Sequence, residues 1–175
     1  MSVKDSAALF AYRSLEEVYA YQSWFPEDVS EAETFIRKYS IDVYVPGQWK
    51  QFGIYSLDNS KLIGDCGFCF QSGGETEIGY TIAPSYQRRG FGSEVVTALI
   101  GYVFDQTPSH TIIAKTDPMN LASIALLTRL GFKKIAHIER SVQIRGQWED
   151  DVVFAMPRED WTMNSNYDQT KKETS

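Results

Sequence analysis

Apolar residues recur along the chain with two spacings, and each spacing predicts one kind of secondary structure. A repeat of three to four positions is typical of a helix that buries one face, while short runs rich in β-branched and aromatic residues between turn residues are typical of strands. Ser30-Glu31-Ala32-Glu33 has the pattern of a capping box and marks one helix start. The predicted helices cover about 7–22, 30–39, 90–104 and 121–130, and the predicted strands about 50–57, 61–70, 75–83, 111–115, 133–140 and 149–156.

The order of these elements predicts the fold class. Turn residues at 58–60 and 71–74 separate the first three strands, so these strands should form an antiparallel meander, and Arg145-Gly146-Gln147 should join the last two. Helix, strand, helix and two strands follow the meander. We therefore predict an α+β (mixed α/β) fold, in which a mixed, mostly antiparallel sheet is flanked by helices.

The segment between the third strand and the long helix has an unusual composition. Gly90 and Gly92 stand at the helix start, where the backbone can approach a ligand closely and the unpaired N–H groups of the first turn attract an anion. A Walker-type loop is excluded because no Gly-Lys-Ser/Thr follows, and a dinucleotide fingerprint fits poorly because its third glycine would be Val95. The segment indicates a phosphate-bearing ligand of another kind, although a plain tight turn with solvated arginines is the structural alternative.

Three segments together resemble a known family. Gln87-Arg88-Arg89-Gly90-Phe91-Gly92 resembles the pyrophosphate loop of the GCN5-related N-acetyltransferase (GNAT) superfamily. With Ile82-Ala83-Pro84 before it and Asn120-Leu121-Ala122-Ser123 after it, the resemblance narrows to the RimJ/RimL-like branch of ribosomal-protein N-terminal acetyltransferases. That branch ordinarily has a strand before its first helix, so we expect the first edge strand of this sheet to be missing or short.

Composition limits the remaining possibilities. The 175 residues fit one domain, expected at 1–162 with a polar tail at 163–175, and 17 basic against 23 acidic side chains give a net charge of −6. This charge argues against nucleic-acid binding and slightly favours a cationic acceptor. The absence of a long apolar run or signal sequence predicts a cytoplasmic protein without a membrane partner. Cys66 and Cys69 are expected to be unbridged strand residues, and His110 and His137 to be structural or surface residues, so no metal site is predicted.

The resemblance implies acetyl-CoA as cofactor and assigns residues to it. The strand before the loop is expected to lie along the pantetheine arm, main-chain N–H groups of the loop to bind the diphosphate, and Arg88 or Arg89 to add charge-assisted contacts. The predicted cofactor-binding residues are Tyr80, Thr81, Ile82, Gln87, Arg88, Arg89, Gly90, Phe91, Gly92, Ser93, Asn120 and Ser123.

Acetyl transfer to an amine also requires proton transfer, because only a neutral amine attacks and the departing thiolate needs a proton. Glu77 is the first candidate for the base, with Glu75 and Asp65 as alternatives, and a solvent-facing strand carboxylate is the structural reading of Glu77. By resemblance, Ser123 is the candidate proton donor and Asn120 its hydrogen-bonding neighbour, although Ser123 could instead serve in local capping.

The expected activity is acetyl transfer to a primary amine, either a protein N-terminal α-amine or a small-molecule amine, within a ternary complex. The alternative is a non-catalytic acyl-CoA-binding sensor. A missing edge strand would leave backbone groups that a second subunit could cover, so a homodimer is possible. The residues considered for the acceptor pocket are Trp24, Phe25, Tyr44, Trp49, Trp148, Glu27, Asp28, Glu31 and Glu33.

Overall fold

The computed structural model describes residues 1–39 and 45–161, and a six-stranded sheet forms its centre. Tyr44 and the predicted tail at 163–175 lie outside the described residues. The helices are α1 (Ser6–Arg13), α2 (Glu16–Tyr19), α3 (Val29–Tyr39), α4 (Phe91–Gln106) and α5 (Leu121–Arg129). The strands are β1 (Trp49–Tyr55), β2 (Leu62–Phe70), β3 (Glu75–Ile82), β4 (Thr111–Thr116), β5 (Lys133–Ile144) and β6 (Gln147–Pro157).

The strands are ordered β1-β2-β3-β4-β6-β5 across the sheet. β3 and β4 run parallel, as a helical crossover through α4 allows, and the other four neighbouring pairs are antiparallel. The predicted meander and C-terminal hairpin are both present, and the hairpin turns at Arg145 and Gly146, which both have positive φ. The α+β fold class is confirmed.

The main core forms where α4 packs on the sheet. Val96, Ile100 and Val103 lie on one face of α4 and are fully buried, together with Ile112 of β4 and Met156 of β6. Burying one such side chain stabilises the fold by roughly 1.5–3 kcal/mol. This core fixes the start of α4 relative to the end of β3, where the candidate loop lies.

The predicted first helix is wrong as a single element. α1 ends at Arg13, and Leu15 has an extended backbone before α2 begins at Glu16. Both short helices still bury apolar side chains, including Leu9 and Val18. The apolar spacing therefore continued across the break, and periodicity could not reveal it. The break redirects the chain so that α2 and the residues after it approach β3 and α5.

The predicted capping box at Ser30 is also wrong. α3 begins at Val29, and the Asp28 carboxylate accepts a hydrogen bond from the Glu31 N–H at 2.9 Å. The Glu31 carboxylate in turn accepts from the Glu27 N–H at 2.8 Å. A carboxylate two residues ahead of Ser30 therefore caps the helix, as aspartate does well at an N-terminus.

The first element of the chain is a 3₁₀ turn at Val3–Asp5, and no strand precedes α1 within the described residues. β1 consequently lies at one edge of the sheet and β5 at the other. This agrees with the expectation of a missing or reduced first strand. Across residues 1–39 and 45–161, every helix is too short or too polar to cross a membrane.

A buried ion pair joins α1 to the sheet. Asp65 on β2 is 1% exposed and accepts hydrogen bonds from the Tyr12 hydroxyl at 2.6 Å and from Arg13 at 2.6 and 3.0 Å. Burial alone would lower the pKa of Arg13, but the adjacent Asp65 carboxylate outweighs it and raises that pKa. Arg13 also donates to the Thr81 hydroxyl at 3.3 Å. The pair thereby fixes the N-terminal helices against β3.

Candidate functional site

The sheet opens between β3 and β4. The two strands pair from Glu75 with Thr111 to Ile78 with Ala114, and then β3 continues to Ile82 while β4 continues to Thr116. Beyond Ile78, no strand of the described part of the chain covers the edge of β3 that faces β4. An extended ligand with amide groups can lie along such an edge and hydrogen-bond to it.

The loop after β3 returns the chain sharply to the start of α4. Pro84–Tyr86 forms a 3₁₀ turn, and the Gln87 side chain donates to the Ile82 carbonyl at 2.9 Å, which ties the loop to the end of the strand. Arg88 and Gly90 have φ angles of 58° and 91°. Left-handed residues in such a turn are typical of the main-chain concavities that bind anions.

Among residues 1–39 and 45–161, no side chain caps the N-terminus of α4. Gly90 is the N-cap, and a Cβ added to it would meet nothing within 4 Å. The Glu94 N–H makes the first helical hydrogen bond, to the Gly90 carbonyl at 3.1 Å, so the amides of Phe91, Gly92 and Ser93 precede that ladder. These three amides and the positive end of the helix dipole make this helix start suited to a diphosphate.

A groove of about 590 Å³ runs from this loop along β3 to α5, and we call it the phosphate-loop groove. Arg88 and Arg129 bring positive charge to it, and the Arg129 guanidinium donates to the Ser93 hydroxyl at 2.6 Å. The lining includes ten of the predicted cofactor residues, namely Tyr80, Thr81, Ile82, Gln87, Arg88, Gly90, Gly92, Ser93, Asn120 and Ser123.

Arg89 and Phe91 are also predicted to bind the cofactor, but they do not line the phosphate-loop groove. The Arg89 guanidinium stands over the rings of Tyr86 and Phe91, 5.4 and 5.2 Å from their centroids, in a cation–π arrangement. Sequence reasoning missed Arg129 because a basic residue in the last turn of a helix is explained by the helix dipole alone. Arg129 is far from the loop in the sequence, so nothing in the sequence indicated that the two lie close together in the fold.

A second cavity of about 350 Å³, which we call the acidic cavity, lies on the other side of the opening between β3 and β4. Its lining includes four carboxylates against one ammonium group, so its formal charge is strongly negative. A hydrogen bond from the Arg140 N–H and then one with His137 lower the pKa of Asp150, which keeps that carboxylate ionised at neutral pH. The charged lining residues are Glu77, Asp117, Asp150, Asp151 and Lys115.

The two cavities share Tyr80 and Ser123, whose hydroxyl oxygens are 2.9 Å apart. Burial raises the pKa of Tyr80, partly offset by the hydrogen bond to Ser123. Asn120 is the N-cap of α5, because its side-chain oxygen accepts from the Ser123 N–H at 3.1 Å. Asn120 therefore fixes the turn that carries Ser123, and the Ser123 hydroxyl is not used for capping. Tyr21 and Gln22 also line both cavities.

The three candidate bases have different surroundings. Glu77 lines the acidic cavity and accepts from Lys115 Nζ at 3.0 Å and from the Gln71 amide at 3.4 Å. Asp65 is enclosed in its structural pair with Arg13 and lines neither cavity. Glu75 also lies outside both linings. Glu77 is therefore the candidate that the geometry brings to the site.

Most side chains considered for the acceptor pocket lie elsewhere. Trp49 lines the acidic cavity, whereas Trp24 stacks on Phe35 at 4.1 Å between ring centroids and Phe25 stacks on Tyr19 at 4.6 Å. Trp148 is half exposed. The carboxylates of Asp28 and Glu31 accept hydrogen bonds from main-chain N–H groups at the start of α3, and Glu33 pairs with Arg37. Glu27 lines neither cavity.

The cysteine prediction is confirmed, because Cys66 and Cys69 are buried, free strand residues. Burial raises the pKa of Cys66 to about 12, which makes it a poor nucleophile. His110 Nε2 donates a hydrogen bond to the Gly73 carbonyl at 2.7 Å, and His137 pairs with Asp150 on the protein surface. Within the part of the chain that the structure describes, no group of three metal-ligating side chains comes together.

Comparison with known proteins identifies the family of this fold and site. The family model of an acetyltransferase (GNAT) domain matches residues 1–133. The chain belongs to the GNAT acetyltransferase family. The uncharacterized N-acetyltransferase p20 of Bacillus licheniformis is 33% identical over 164 residues, which cover 92% of each chain. The ribosomal protein uS5-alanine N-acetyltransferase of Escherichia coli is 35% identical over 114 residues, covering 63% of this chain and 59% of that one.

The solved structures agree on the fold. Spermidine N-acetyltransferase from Vibrio cholerae, in complex with CoA and spermine, superposes with a TM-score of 0.77 at 19% identity and covers 93% of this chain and 95% of its own. The present GNAT protein is an acetyl-CoA-dependent N-acetyltransferase that resembles the RimJ branch. Its free loop amides, the two groove arginines and the open β3 edge fit a diphosphate joined to an extended arm. The relatives named here are acetyltransferases, and they give no support to a non-catalytic sensor.

Proposed function

We propose that this enzyme acetylates a cationic primary amine by direct attack within a ternary complex. The observation that carries the proposal is that two cavities of different chemistry meet at Tyr80 and Ser123. The phosphate-loop groove offers amides and arginines to an anion, and the acidic cavity offers carboxylates to a cation. Both substrates can therefore be held at once, with their reactive groups at the junction, and no covalent enzyme intermediate is needed.

The acidic cavity suits an amine on electrostatic grounds. Alkyl amines with a pKa of about 10.4 arrive mostly protonated, and α-amines with a pKa of about 7.7–8.0 arrive partly so. Carboxylates such as Asp150 and Asp151 attract the charged form, and Glu77, directly or through water, would accept the proton that the amine must lose before attack. The volume of about 350 Å³ admits a short alkyl amine or the first residues of a peptide.

The groove residues would fix the thioester for this attack. In this assignment the amides from Arg88 to Ser93 hold the diphosphate, and the uncovered edge of β3 at residues 80–82 holds the arm. Ser123, at the junction, donates a proton to the leaving sulfur. A relative acts on a ribosomal-protein alanine and a fold neighbour binds spermine, so both a peptide α-amine and a polyamine are suitable first acceptors.

The test is release of free CoA thiol from acetyl-CoA in the presence of an amine panel. The panel contains polyamines, N-terminal peptides with and without basic residues, and neutral amines of similar size. We expect release above the amine-free background for at least one cationic amine, with a matching acetylated product by mass. If CoA protects the protein from thermal unfolding but no amine raises thiol release, the proposed transfer is wrong.

A further inference from the structure

The hydroxyl groups of Tyr80 and Ser123 form one hydrogen bond at the point where the two cavities meet. Their oxygens are 2.9 Å apart, and either oxygen can be the donor. Ser123 is held by the capped first turn of α5, and Tyr80 by β3, where it pairs with Cys66. Two rigid elements therefore bring together two groups that are 43 positions apart in sequence.

Serine alone is a poor source of a proton. An aliphatic hydroxyl is about as weak an acid as water, so its pKa lies far above the value of about 8.5 for a thiol. A serine that gave its proton to a thiolate would be left as an alkoxide, which is far less stable than the thiolate it relieved. A serine hydroxyl can, however, donate one hydrogen bond while accepting another. It can pass on a proton if it receives one in the same event.

We propose that Tyr80 supplies this proton, so that Tyr80 and Ser123 act as one relay to the departing sulfur. The inference rests on the proposed acetyl transfer and adds a residue to it. A phenol has a pKa of about 10, much closer to that of a thiol than an aliphatic alcohol is. Asn120 is not a competing source, since its side-chain oxygen accepts from the Ser123 N–H.

The proton balance closes without another reactant. A C–N bond forms between the neutral amine and the acetyl carbon, the C–S bond breaks, and its electron pair stays on sulfur. Ser123 Oγ gives its proton to that sulfur and takes one from Tyr80 Oη. The nitrogen of the new amide loses one proton, and this proton returns to the Tyr80 phenolate through Glu77 or water.

The environment of Tyr80 supports the donor role. Its ring packs against the main core while its hydroxyl reaches the junction, so the group is fixed and largely shielded from water. Burial raises its pKa, so the phenol is protonated at neutral pH but is a weaker acid than a free phenol, and the hydrogen bond with Ser123 opposes part of this shift. The charged groups lining the two cavities around it are Glu77, Lys115, Asp117, Asp150, Asp151, Glu17, Arg88 and Arg129.

The experiment compares wild type with Tyr80→Phe, Ser123→Ala and the double variant. Single-turnover rates are measured with saturating acetyl-CoA and the amine that the wild type accepts, and CoA affinity is measured by calorimetry. We expect each single variant to lose about 100-fold in rate, with CoA affinity within about threefold of wild type. The double variant should be no slower than the slower single variant, because residues that act as a unit are not additive.

Tyr55→Phe is the matched control. It also removes one tyrosine hydroxyl hydrogen bond, to Asp5 at 2.8 Å, but lies outside both cavities, and its rate should equal that of wild type. A proton inventory in mixed H₂O and D₂O adds a measurement that a structural role would not change. The wild type should show a curved dependence from two moving protons, and the Tyr80→Phe variant should lose the curvature.

The outcomes separate the relay from the proposed function. If the wild type turns over and Tyr80→Phe keeps its rate, or if the two single losses multiply in the double variant, the relay is wrong and the transfer stands. If the wild type acetylates no amine, the transfer fails and the relay fails with it. If Ser123→Ala does not fold, the rate and the isotope effect of the nearly isosteric Tyr80→Phe variant still test the relay.

Discussion

The phosphate-loop groove and the acidic cavity meet at the same hydroxyl pair but are built in different ways. The anion site that we propose in the groove comes largely from one continuous segment, residues 87–93, and from its main-chain amides. The acidic cavity is assembled from side chains on β3, β4, β6 and the segment after α2. Main-chain recognition depends on a few glycine-compatible angles, whereas side-chain recognition depends on which distant strands become neighbours. A short sequence motif can therefore predict the groove, whereas no short motif predicts the cavity.

The largest expected effect comes from the buried Arg13–Asp65 pair, which contacts both the phosphate-loop groove and the junction with the acidic cavity. Arg13, paired with Asp65, donates to Thr81 in the groove and lies 3.5 Å from the Gln22 oxygen at the junction. Asp65→Ala should lower the free energy of unfolding by about 3–5 kcal/mol, because it leaves a buried guanidinium without its carboxylate. Urea unfolding measures the loss.

The exposed turn variant Asp58→Ala is the control for Asp65→Ala and should change stability by less than about 0.5 kcal/mol. A loss below about 1 kcal/mol for Asp65→Ala would show that the pair does not hold the N-terminal helices in place. In that case the groove and the cavity would be stabilised independently.

The next effect tests main-chain recognition in the groove. Gly90→Val places a β-branched side chain beside the free amides at the α4 start and should weaken CoA binding about 100-fold, or about 2.7 kcal/mol. Calorimetry with CoA measures it. Gly146→Val is the matched control, because Gly146 also has positive φ and open space around it but lies in the β5–β6 turn.

Both glycine variants should lose about 1–2 kcal/mol of stability from the left-handed backbone. Only Gly90→Val should lose CoA affinity. Equal CoA affinity in the two variants would mean that the amides at the α4 start do not bind the diphosphate.

A smaller effect separates the two loop arginines. Arg88 lines the groove, whereas Arg89 stands over two aromatic rings. Arg88→Ala should weaken CoA binding about tenfold at low salt, and less at high salt because exposed charges are screened. Arg89→Ala should change CoA affinity by less than about twofold. The reverse order, measured by titration at two salt concentrations, would assign the phosphate contact to Arg89 instead.

The smallest effect tests the acidic cavity. Asp150→Asn should raise KM for a cationic amine about three- to fivefold, since one charge at partly exposed sites contributes about 1 kcal/mol. CoA affinity should not change. Glu149→Gln removes a carboxylate from the neighbouring position, which does not line the cavity, and should leave KM unchanged. Equal KM values for the two variants would contradict cation recognition by Asp150.

Prediction from sequence worked best where the signal was local. The meander, the strand-loop-helix segment and the hairpin turn at Gly146 depend on residues close together in the chain, and all are confirmed. The single first helix failed because Leu9 and Val18 kept the apolar spacing across the break at Leu15. The roles assigned to Glu77, Asn120 and Ser123 stay predictions, although the structure brings Glu77 and Ser123 to one cavity.

The sequence by itself determined the order of elements, the glycine-led loop and the family. Apolar periodicity and backbone angles depend on residues that are neighbours in the chain, so a short stretch of sequence is enough to predict them. Tertiary structure alone decided that β3 and β4 separate after Ile78, that Arg129 reaches Ser93, and that Tyr80 meets Ser123. Each of these depends on long-range packing of α4 and α5 on the sheet. No local preference specifies such packing, since it results from the whole core that the chain buries.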